Sequence, residues 1–359
     1  MLHPPPAPCP SALHDDPAPF QTDDLVVPGG HVLRLTQHGA RHGLPVLLLH
    51  GGPGSGCSPL LRRFFNPSHW RMLCLDQRGA GASRPAGGLQ HNTTGHLLAD
   101  LRQVRQHLQI PRWWVVGGSW GATLAVAHAA DAPDAVAGLL LRASFLARDA
   151  DIAGFFQRAT ATSPAAAAAW DALAALLPHA AVQPLLPAIN QLMAVMPAGG
   201  PQYQLAAAWW AWEQALVGGT TTDTTASPAP SGAGLDALVA RYRVQSHYLQ
   251  HGCWLQSPSL LALAACLPAM PTLLLHGTAD RICPPAGARA LHQALPHSRL
   301  QWVHGAGHDP SHPAMAAAML GALRQAASTG GFDAAPGTAS AAITASAAST
   351  ASAAPLAAT

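Results

Sequence analysis

Short apolar runs alternate with helical stretches between about residues 30 and 145 of this sequence. The apolar runs are HVLRLTQHG, LPVLLLHGG, WRMLCLDQRG, RWWVVGGS and VAGLLLRAS, and the helical stretches include HLLADLRQVRQHLQI and WGATLAVAHAADAP. Continuous apolar runs bounded by Gly or Pro are typical of strands in a parallel sheet that is covered on both faces. The alternation therefore predicts an α/β fold with a mostly parallel, doubly wound sheet.

The strand signal is lost in the middle of the chain and then returns. Residues 149–256 are rich in Ala, Leu and Trp with helical spacing, and strand-like runs resume with MPTLLLHGTAD and SRLQWVHGAGHD. We therefore expect a sheet domain in two parts, residues 23–148 and 257–326, with a helical cap at residues 149–256 inserted between them. A Thr/Pro/Gly-rich stretch predicts a flexible loop near residues 218–235 of the cap.

Both ends of the sequence have a composition that disfavours packing. Residues 1–22 are rich in Pro, and residues 327–359 are an Ala/Ser/Thr tract with almost no large apolar side chains. Such segments cannot bury enough surface to offset the entropy of ordering. We expect both to be flexible and the function to lie between them.

Charge and hydropathy exclude two classes of partner. The net charge is only +2, and there is no run of basic residues and no aromatic-basic module for nucleic acid. The sequence also has no stretch of about 18 consecutive apolar residues that could cross a bilayer. We therefore expect neither nucleic acid nor a membrane as a partner.

The cysteines indicate a reducing compartment. The 6 cysteines are scattered, without CxxC or Cys/His spacing for a metal, so we interpret them as free thiols and expect no metal or other cofactor. The first residues lack a charged segment followed by an apolar run, which argues against a signal peptide. These patterns predict a cytoplasmic protein.

A G-x-S-x-G motif lies between a predicted strand and a predicted helix. In RWWVVGGSWGATLAVAHA, the residues Gly117–Gly121 surround Ser119. Glycines at these positions permit the cramped turn of a nucleophile elbow, which raises the serine hydroxyl above the sheet. The helix that follows offers its N-terminal dipole to a developing oxyanion. The alternative is a Gly/Ser turn without chemical meaning, which the flanking strand and helix disfavour.

A nucleophilic serine needs a histidine base and an acid that orients it. Asp280 ends the strand-like run TLLLHGTAD, and His308 ends the next such run, LQWVHGAGHD. In this fold the acid and then the histidine follow the serine along the chain. We predict a catalytic triad of Ser119, Asp280 and His308, with His304 and Asp309 as nearby alternatives.

A second motif is placed to stabilise the oxyanion. The Gly-rich turn in LLLHGGPGSG directly follows a predicted strand, where lipase-like enzymes carry a loop with an oxyanion donor. We assign the two donors to the backbone N–H groups of Gly52 and Trp120. A phosphate-binding loop is disfavoured, because no GK[ST] follows and no Gly-rich turn opens a helix.

Four stretches together resemble the prolyl aminopeptidase (proline iminopeptidase) family, which are serine peptidases of the α/β-hydrolase fold. They are HGGPGSG, DQRGAGASRP, GGSWGATLA and the late GAGH, and the resemblance covers roughly residues 25 to 325. It implies an α/β-hydrolase fold with an inserted helical cap. It also implies release of N-terminal proline from peptides through an acyl-enzyme intermediate, without a metal.

The resemblance also implies a substrate pocket. WWAWE matches the place where the family has a glutamate that binds the substrate's amino terminus, here Glu213, which is the sole glutamate of the sequence. Arg142, Phe145 and Phe155 fall where the family lines the pocket. Members commonly carry a second glutamate where this sequence has Gln245, which can accept a hydrogen bond but brings no charge.

Several alternatives stay open at this point. Glu213 could instead pair internally with an arginine or lie exposed on an amphipathic helix. The enzyme could be an esterase, an amidase or a broader aminopeptidase that uses the same triad. A catalytically silent binding protein of the same fold is disfavoured, because the serine, aspartate and histidine are all present.

Overall fold

A computed structural model of the chain describes residues 12–177, 185–217 and 231–332. Residues 1–11, 218–230 and 333–359, which hold most of the segments that we predicted to be flexible, lie outside the described residues. In the described part of the chain, the helices lack the length and continuous apolar character that crossing a bilayer requires.

The described strands form one mixed sheet. Its order is β1-β2-β4-β3-β5-β6-β7-β8, in which β2 runs antiparallel to both of its neighbours and the remaining pairs are parallel. The strands are β1 (Pro19–Val27), β2 (His31–Gly39), β3 (Leu44–Leu49), β4 (Trp70–Leu75), β5 (Trp113–Gly118), β6 (Val136–Arg142), β7 (Thr272–Gly277) and β8 (Ser298–Val303).

Helices follow most of the strands, and a group of them separates β6 from β7. The α-helices are α1 (Pro59–Arg62), α2 (Thr94–His107), α3 (Trp120–Asp131), α4 (Asp149–Phe155), α5 (Pro164–Ala175), α6 (Leu185–Ala194), α7 (Gly200–Val217), α8 (Ala233–Gln250), α9 (Leu260–Ala265), α10 (Pro285–Ala294) and α11 (Pro313–Thr329). Helices α4 to α8 occupy the part of the sequence where we predict the cap. The mostly parallel α/β sheet expected from the sequence is confirmed.

The continuous apolar runs arise because the sheet has a core on each face. In β3, Leu47 and Leu49 belong to one core cluster, and Val46 and Leu48 belong to the other. Successive side chains of a strand point to opposite faces, so a strand covered on both sides needs apolar residues at every position. The antiparallel strand β2 instead alternates buried and half-buried positions along most of its length.

The strand order brings the predicted functional loops together. The order reverses around β3, because β4 lies on one side of it and β5 on the other. The parallel strands β3, β5, β6, β7 and β8 all end at the same edge of the sheet. A crevice at such a reversal is the usual ligand site of an open α/β sheet.

Two expected boundaries differ from the structure. Strand β1 begins at Pro19, inside the segment that we expected to be flexible through residue 22, and Asp16 forms an ion pair with Arg62 at 2.6 Å. This edge strand carries many polar side chains, so its sequence lacks the apolar signal of the inner strands. At the other end, helix α11 continues through Thr329, past the expected end of the core at residue 326.

Candidate active site

Ser119 lies on a strained turn between β5 and α3. Its backbone has φ 57° and ψ −123°, a conformation that non-glycine residues rarely adopt and that often marks functional sites. The turn packs so closely on β3 that a Cβ added at Gly121 would lie 2.0 Å from the carbonyl oxygen of Leu49. Glycine is therefore required at this position, and the turn has the geometry that the G-x-S-x-G motif predicts.

Asp280 and His308 form a hydrogen-bonded pair at the ends of β7 and β8. His308 Nδ1 lies 2.9 Å from Asp280 Oδ2, and Asp280 Oδ1 accepts hydrogen bonds from the N–H groups of Ile282 at 3.0 Å and Cys283 at 2.9 Å. Burial opposes ionisation of Asp280, but the charge and hydrogen bond of His308 and the N–H of Cys283 outweigh it, so the pKa of Asp280 is lowered. The carboxylate is thus held ionised beside the imidazole.

Ser119 and His308 line the same cavity, which has a volume of about 230 Å³. No hydrogen bond joins them among the described residues, and the serine Oγ instead lies 3.9 Å from Cys283 Sγ. Catalytic hydrogen bonds are often long before substrate binds. The arrangement supplies a serine, a histidine and an orienting aspartate at one sheet edge.

The loop after β3 lies beside the serine. A Cβ built on Gly51 would lie 3.5 Å from Ser119 Cβ, and the next residue, Gly52, lines the cavity with φ 110°. Trp120 is the first residue of α3, where a backbone N–H has no partner within its helix. The two groups that we assigned as oxyanion donors therefore lie on segments that adjoin Ser119.

Gln77 connects the three motifs that surround this site, a contact that the sequence reasoning missed. Its backbone N–H donates to His50 Nε2 at 3.0 Å, and its side-chain amide donates to the His50 carbonyl at 3.1 Å. Trp120 Nε1 in turn donates to Gln77 Oε1 at 2.9 Å. Because His50 Nε2 is an acceptor, its Nδ1 carries the proton and donates to the Gly51 carbonyl at 2.9 Å. Burial lowers the pKa of His50, which favours this neutral form.

Arg142 lies beneath the serine turn. Its Nη1 donates to the backbone carbonyl of His308 at 2.5 Å, and a Cβ added at Gly118 would lie 2.5 Å from its Nη2. Burial lowers the pKa of Arg142. The side chain lines the cavity, as we predicted, and it also ties the end of β6 to the loop that carries His308.

Aromatic side chains form another wall of the cavity. Phe145 and Phe155 both line it, as we predicted. The Phe155 ring packs edge-on against Phe156, with ring centroids 4.9 Å apart, and against Trp212 at 6.4 Å. The Phe155 ring is therefore held in a fixed orientation by its neighbours.

Glu213 lies on α7 in the cavity wall and is only 6% exposed. Its Oε2 accepts hydrogen bonds from Arg241 Nη2 at 2.7 Å and from the Tyr242 hydroxyl at 2.8 Å, and its Oε1 accepts one from Gln245 Nε2 at 3.1 Å. The internal arginine pair that we left open is thus present. Glu213 also lines the cavity that holds Ser119, so its contact with a substrate amine stays a prediction.

Arg241 and Tyr242 are site residues that the sequence reasoning did not find. Burial opposes the charge on Arg241, but Glu213 and Tyr242 outweigh it and raise the pKa of Arg241. Burial and the charge of Glu213 raise the pKa of Tyr242 well above its ordinary value, so the phenol stays a donor. The signal was present: Arg241 and Gln245 have the i, i+4 spacing that places two side chains on one face of a helix.

Comparison with known proteins decides the family. Residues 45–313 match the family model of the alpha/beta hydrolase fold. The chain is 36% identical over 308 residues to a probable proline iminopeptidase of Leptolyngbya boryana, covering 85% of this chain and 94% of that protein. It is 35% identical to a proline iminopeptidase of Arabidopsis thaliana, covering 84% and 78% of the two chains.

The chain belongs to the proline iminopeptidase family of α/β-hydrolases. Solved structures with the same fold include the proline iminopeptidase of Mycobacterium smegmatis, with a TM-score of 0.56 and 19% identity, covering 86% of this chain and 99% of that one. They also include the esterase RhEst1 from Rhodococcus sp. ECU1013, with a TM-score of 0.58, 19% identity and the same coverage. At this identity the likeness concerns the fold alone.

In this member of the proline iminopeptidase family, nearly all of the predicted site residues gather around one cavity. Those that line it are Gly52, Ser119, Arg142, Phe145, Phe155, Glu213, Gln245 and His308. Asp280 lies behind His308. Of the alternatives that we named for the triad, His304 is exposed, and the Asp309 carboxylate accepts a hydrogen bond from the backbone N–H of Ser311 at 2.8 Å. Among the described residues, no group of three or more His, Cys, Asp or Glu side chains is placed to hold a metal ion.

Proposed function

We propose that this chain is a serine aminopeptidase that releases proline from the amino terminus of peptides. One observation carries the proposal: a single cavity contains both Ser119 with His308 and, in its cap wall, the buried carboxylate of Glu213. The triad alone supports only hydrolysis of an acyl group. The polar wall that Glu213 forms beside the triad favours a substrate whose acyl group carries an amine. Relatives of this chain are also named proline iminopeptidases.

In the first half of the proposed reaction, Ser119 Oγ attacks the carbonyl carbon of the terminal residue. His308 takes the hydroxyl proton on Nε2, while Asp280 accepts the Nδ1 hydrogen bond and stabilises the imidazolium. The N–H groups of Gly52 and Trp120 stabilise the oxyanion of the tetrahedral intermediate. His308 then returns the proton to the leaving peptide amine, and the prolyl group stays on Ser119 as an ester.

In the second half, water replaces the peptide. His308 removes a proton from the water as it attacks the ester carbon, and the same N–H groups stabilise the second oxyanion. The proton passes to Ser119 Oγ as the acyl-enzyme bond breaks, which regenerates the serine. No cofactor takes part in this scheme.

The lining of the cavity is suited to a small cyclic acyl group. Phe145 and Phe155 offer flat apolar surfaces on one side, and Glu213 and Gln245 offer polar atoms on the other. A pyrrolidine ring has the same division, because its carbons are apolar and its nitrogen is polar. We further place this reaction in the cytoplasm, which the free thiols of the described cysteines support.

Release of 4-nitroaniline from proline and alanine 4-nitroanilides, and of 4-nitrophenol from 4-nitrophenyl acetate, tests the proposal, with Ser119→Ala as the control. We expect turnover of the proline substrate that Ser119→Ala abolishes. Ser119-dependent turnover of the acetate alone would reject the aminopeptidase and favour an esterase. Absence of any Ser119-dependent turnover would favour a silent binding protein.

A further inference from the structure

His276 is a buried histidine on the strand that leads to the acid of the triad. It lies near the end of β7, its side chain is 0% exposed, and it stands outside the wall of the cavity that contains Ser119. Its ring packs edge-on against Trp302 of β8, with ring centroids 6.0 Å apart. The proposed reaction does not use this imidazole, although it lies close to Asp280.

The imidazole of His276 donates a hydrogen bond to the loop that carries Asp280. Its Nε2 lies 2.9 Å from the carbonyl oxygen of Cys283 and 3.9 Å from Asp280 Oδ2, which is too far for a hydrogen bond to the carboxylate. Because a carbonyl oxygen can only accept, Nε2 carries the proton. Burial lowers the pKa of His276, and the opposing effects of Asp280 and the Cys283 carbonyl are smaller, so the ring stays neutral.

The backbone of Cys283 connects His276 to the carboxylate of Asp280. The Cys283 carbonyl accepts the hydrogen bond from His276, and the Cys283 N–H donates to Asp280 Oδ1 at 2.9 Å. His308 Nδ1 lies 2.9 Å from the second oxygen of the same carboxylate, Oδ2. A shift of the Cys283 backbone would therefore move the group that orients His308.

Asp280 is held from both directions along the chain. Before it, the N–H of Ala279 donates to the carbonyl of Ala306 at 2.9 Å, which joins the acid loop to the loop after β8. After it, the side chain of His276 holds Cys283. The first contact is between two backbones, so a side-chain substitution can remove only the second.

We propose that His276 is a positioning residue of this active site, which keeps Asp280 oriented toward His308 by holding the Cys283 carbonyl. The inference rests on the proposed serine hydrolase chemistry and adds a residue that contacts neither the substrate nor Ser119. His276 gains and loses no proton in the reaction, because it donates the same hydrogen bond throughout. Its effect should therefore appear in kcat more than in KM.

The first test measures kcat and KM of the full chain for proline 2-naphthylamide. His276→Phe keeps an aromatic ring beside Trp302 but removes the donor, and we expect kcat to fall about 10- to 100-fold with a smaller change in KM. His276→Gln restores an N–H donor of similar reach, so its kcat should stay within about threefold of the unmodified chain.

The matched control is His128→Phe. His128 is also 0% exposed, but its Nε2 accepts a hydrogen bond from Trp113 Nε1 at 3.1 Å, in a contact that does not involve the acid loop. We expect this variant to lose stability while its kcat changes by less than about twofold.

A second test asks whether His276 acts through Asp280. In an Asp280→Asn background the carboxylate is absent, so His276→Phe should lower kcat by less than about threefold. A loss by the same factor in both backgrounds would overturn the inference, and so would an unchanged kcat in a folded His276→Phe variant.

A third measurement decides the matter where His276→Phe does not fold. Nitrogen-15 spectra of the histidine-labelled chain, assigned with His276→Gln, should show His276 neutral with its proton on Nε2 at about pH 7. A proton on Nδ1 would overturn the inference. Absence of Ser119-dependent turnover of any prolyl substrate would instead reject the proposed aminopeptidase, and the same variants assayed on 4-nitrophenyl acetate would still test His276.

Discussion

Arg241 Nη2 lies 2.7 Å from Glu213 Oε2, in the wall of the cavity that contains Ser119. The pair links α7 to α8, and the Tyr242 hydroxyl binds the same carboxylate oxygen at 2.8 Å. The ring of Tyr242 stacks on Trp209 at 4.4 Å with an interplanar angle of 16°. One ion pair thus joins two of the helices inserted between β6 and β7 in the wall of the cavity.

We expect Glu213 and Arg241 to be energetically coupled. Removing one partner leaves the other charge in the wall uncompensated, so Arg241→Met and Glu213→Gln should each lower the free energy of unfolding. The Arg241 side chain is 27% exposed, which reduces the cost to about 1–3 kcal/mol. Urea denaturation of both single variants and the double variant measures the coupling. Strictly additive losses would contradict it.

The same pair should affect substrates according to their charge. Glu213→Gln leaves the Arg241 charge unbalanced, so we expect kcat/KM for prolyl substrates to fall roughly tenfold or more, and that for 4-nitrophenyl acetate, which carries no amine, to fall less. Arg241→Gln should shift the ratio in the opposite direction. Equal losses on both kinds of substrate, with the fold intact, would point to a purely structural pair.

Arg142 should position His308. Arg142→Lys keeps the charge but cannot reproduce the guanidinium contacts, so the loop that carries His308 should move relative to Ser119. We expect kcat for proline 4-nitroanilide to fall about 10- to 100-fold, with a smaller change in KM. The matched control is Arg158→Lys. Arg158 pairs with Asp171 at the surface, where the two side chains are 58% and 57% exposed. An unaltered kcat in Arg142→Lys would remove Arg142 from this role.

Gln77 should hold the oxyanion loop in place. In Gln77→Met, of similar size, the His50 carbonyl and Trp120 Nε1 lose their partners inside the protein. We expect a loss of about 1–3 kcal/mol of stability and a lower kcat with little change in KM. Gln103→Met removes one exposed hydrogen bond, to the Val26 carbonyl at 3.1 Å, and is the control. A stability loss without any loss of kcat would separate the network from catalysis.

Asp280 should make stability depend on acidity. The pKa of Asp280 in the folded chain lies below the ordinary value of 3.8. Its contribution to the free energy of unfolding is therefore fully present above that pH and is lost as the pH falls through the lowered pKa. Asp280→Asn lacks this titration. Between about pH 6 and about pH 3, the free energy of unfolding should therefore decrease more in the unmodified chain than in the variant. Identical decreases would contradict the assignment.

Much of the site followed from local sequence. The strand runs, the glycines around Ser119 and the positions of Asp280 and His308 at strand ends predicted the fold and the triad, because the edge of a parallel sheet collects the residues that end its strands. The pocket residues carried over from the family resemblance also line the cavity. Strand β1 was missed, since a polar edge strand has little apolar periodicity.

By itself, the sequence determined which chemical groups are present and which strand end or helix carries each one. It could do so because the apolar periodicity and the turn residues that define these elements are local patterns of a few residues. Only the tertiary structure decided which groups meet across the chain. Arg241 is 28 residues from Glu213 and lies on another helix, so no local pattern pairs them. The packing of α7 on α8 brings the guanidinium to the carboxylate, and that contact, not the isolated glutamate, sets the net charge of this part of the cavity wall.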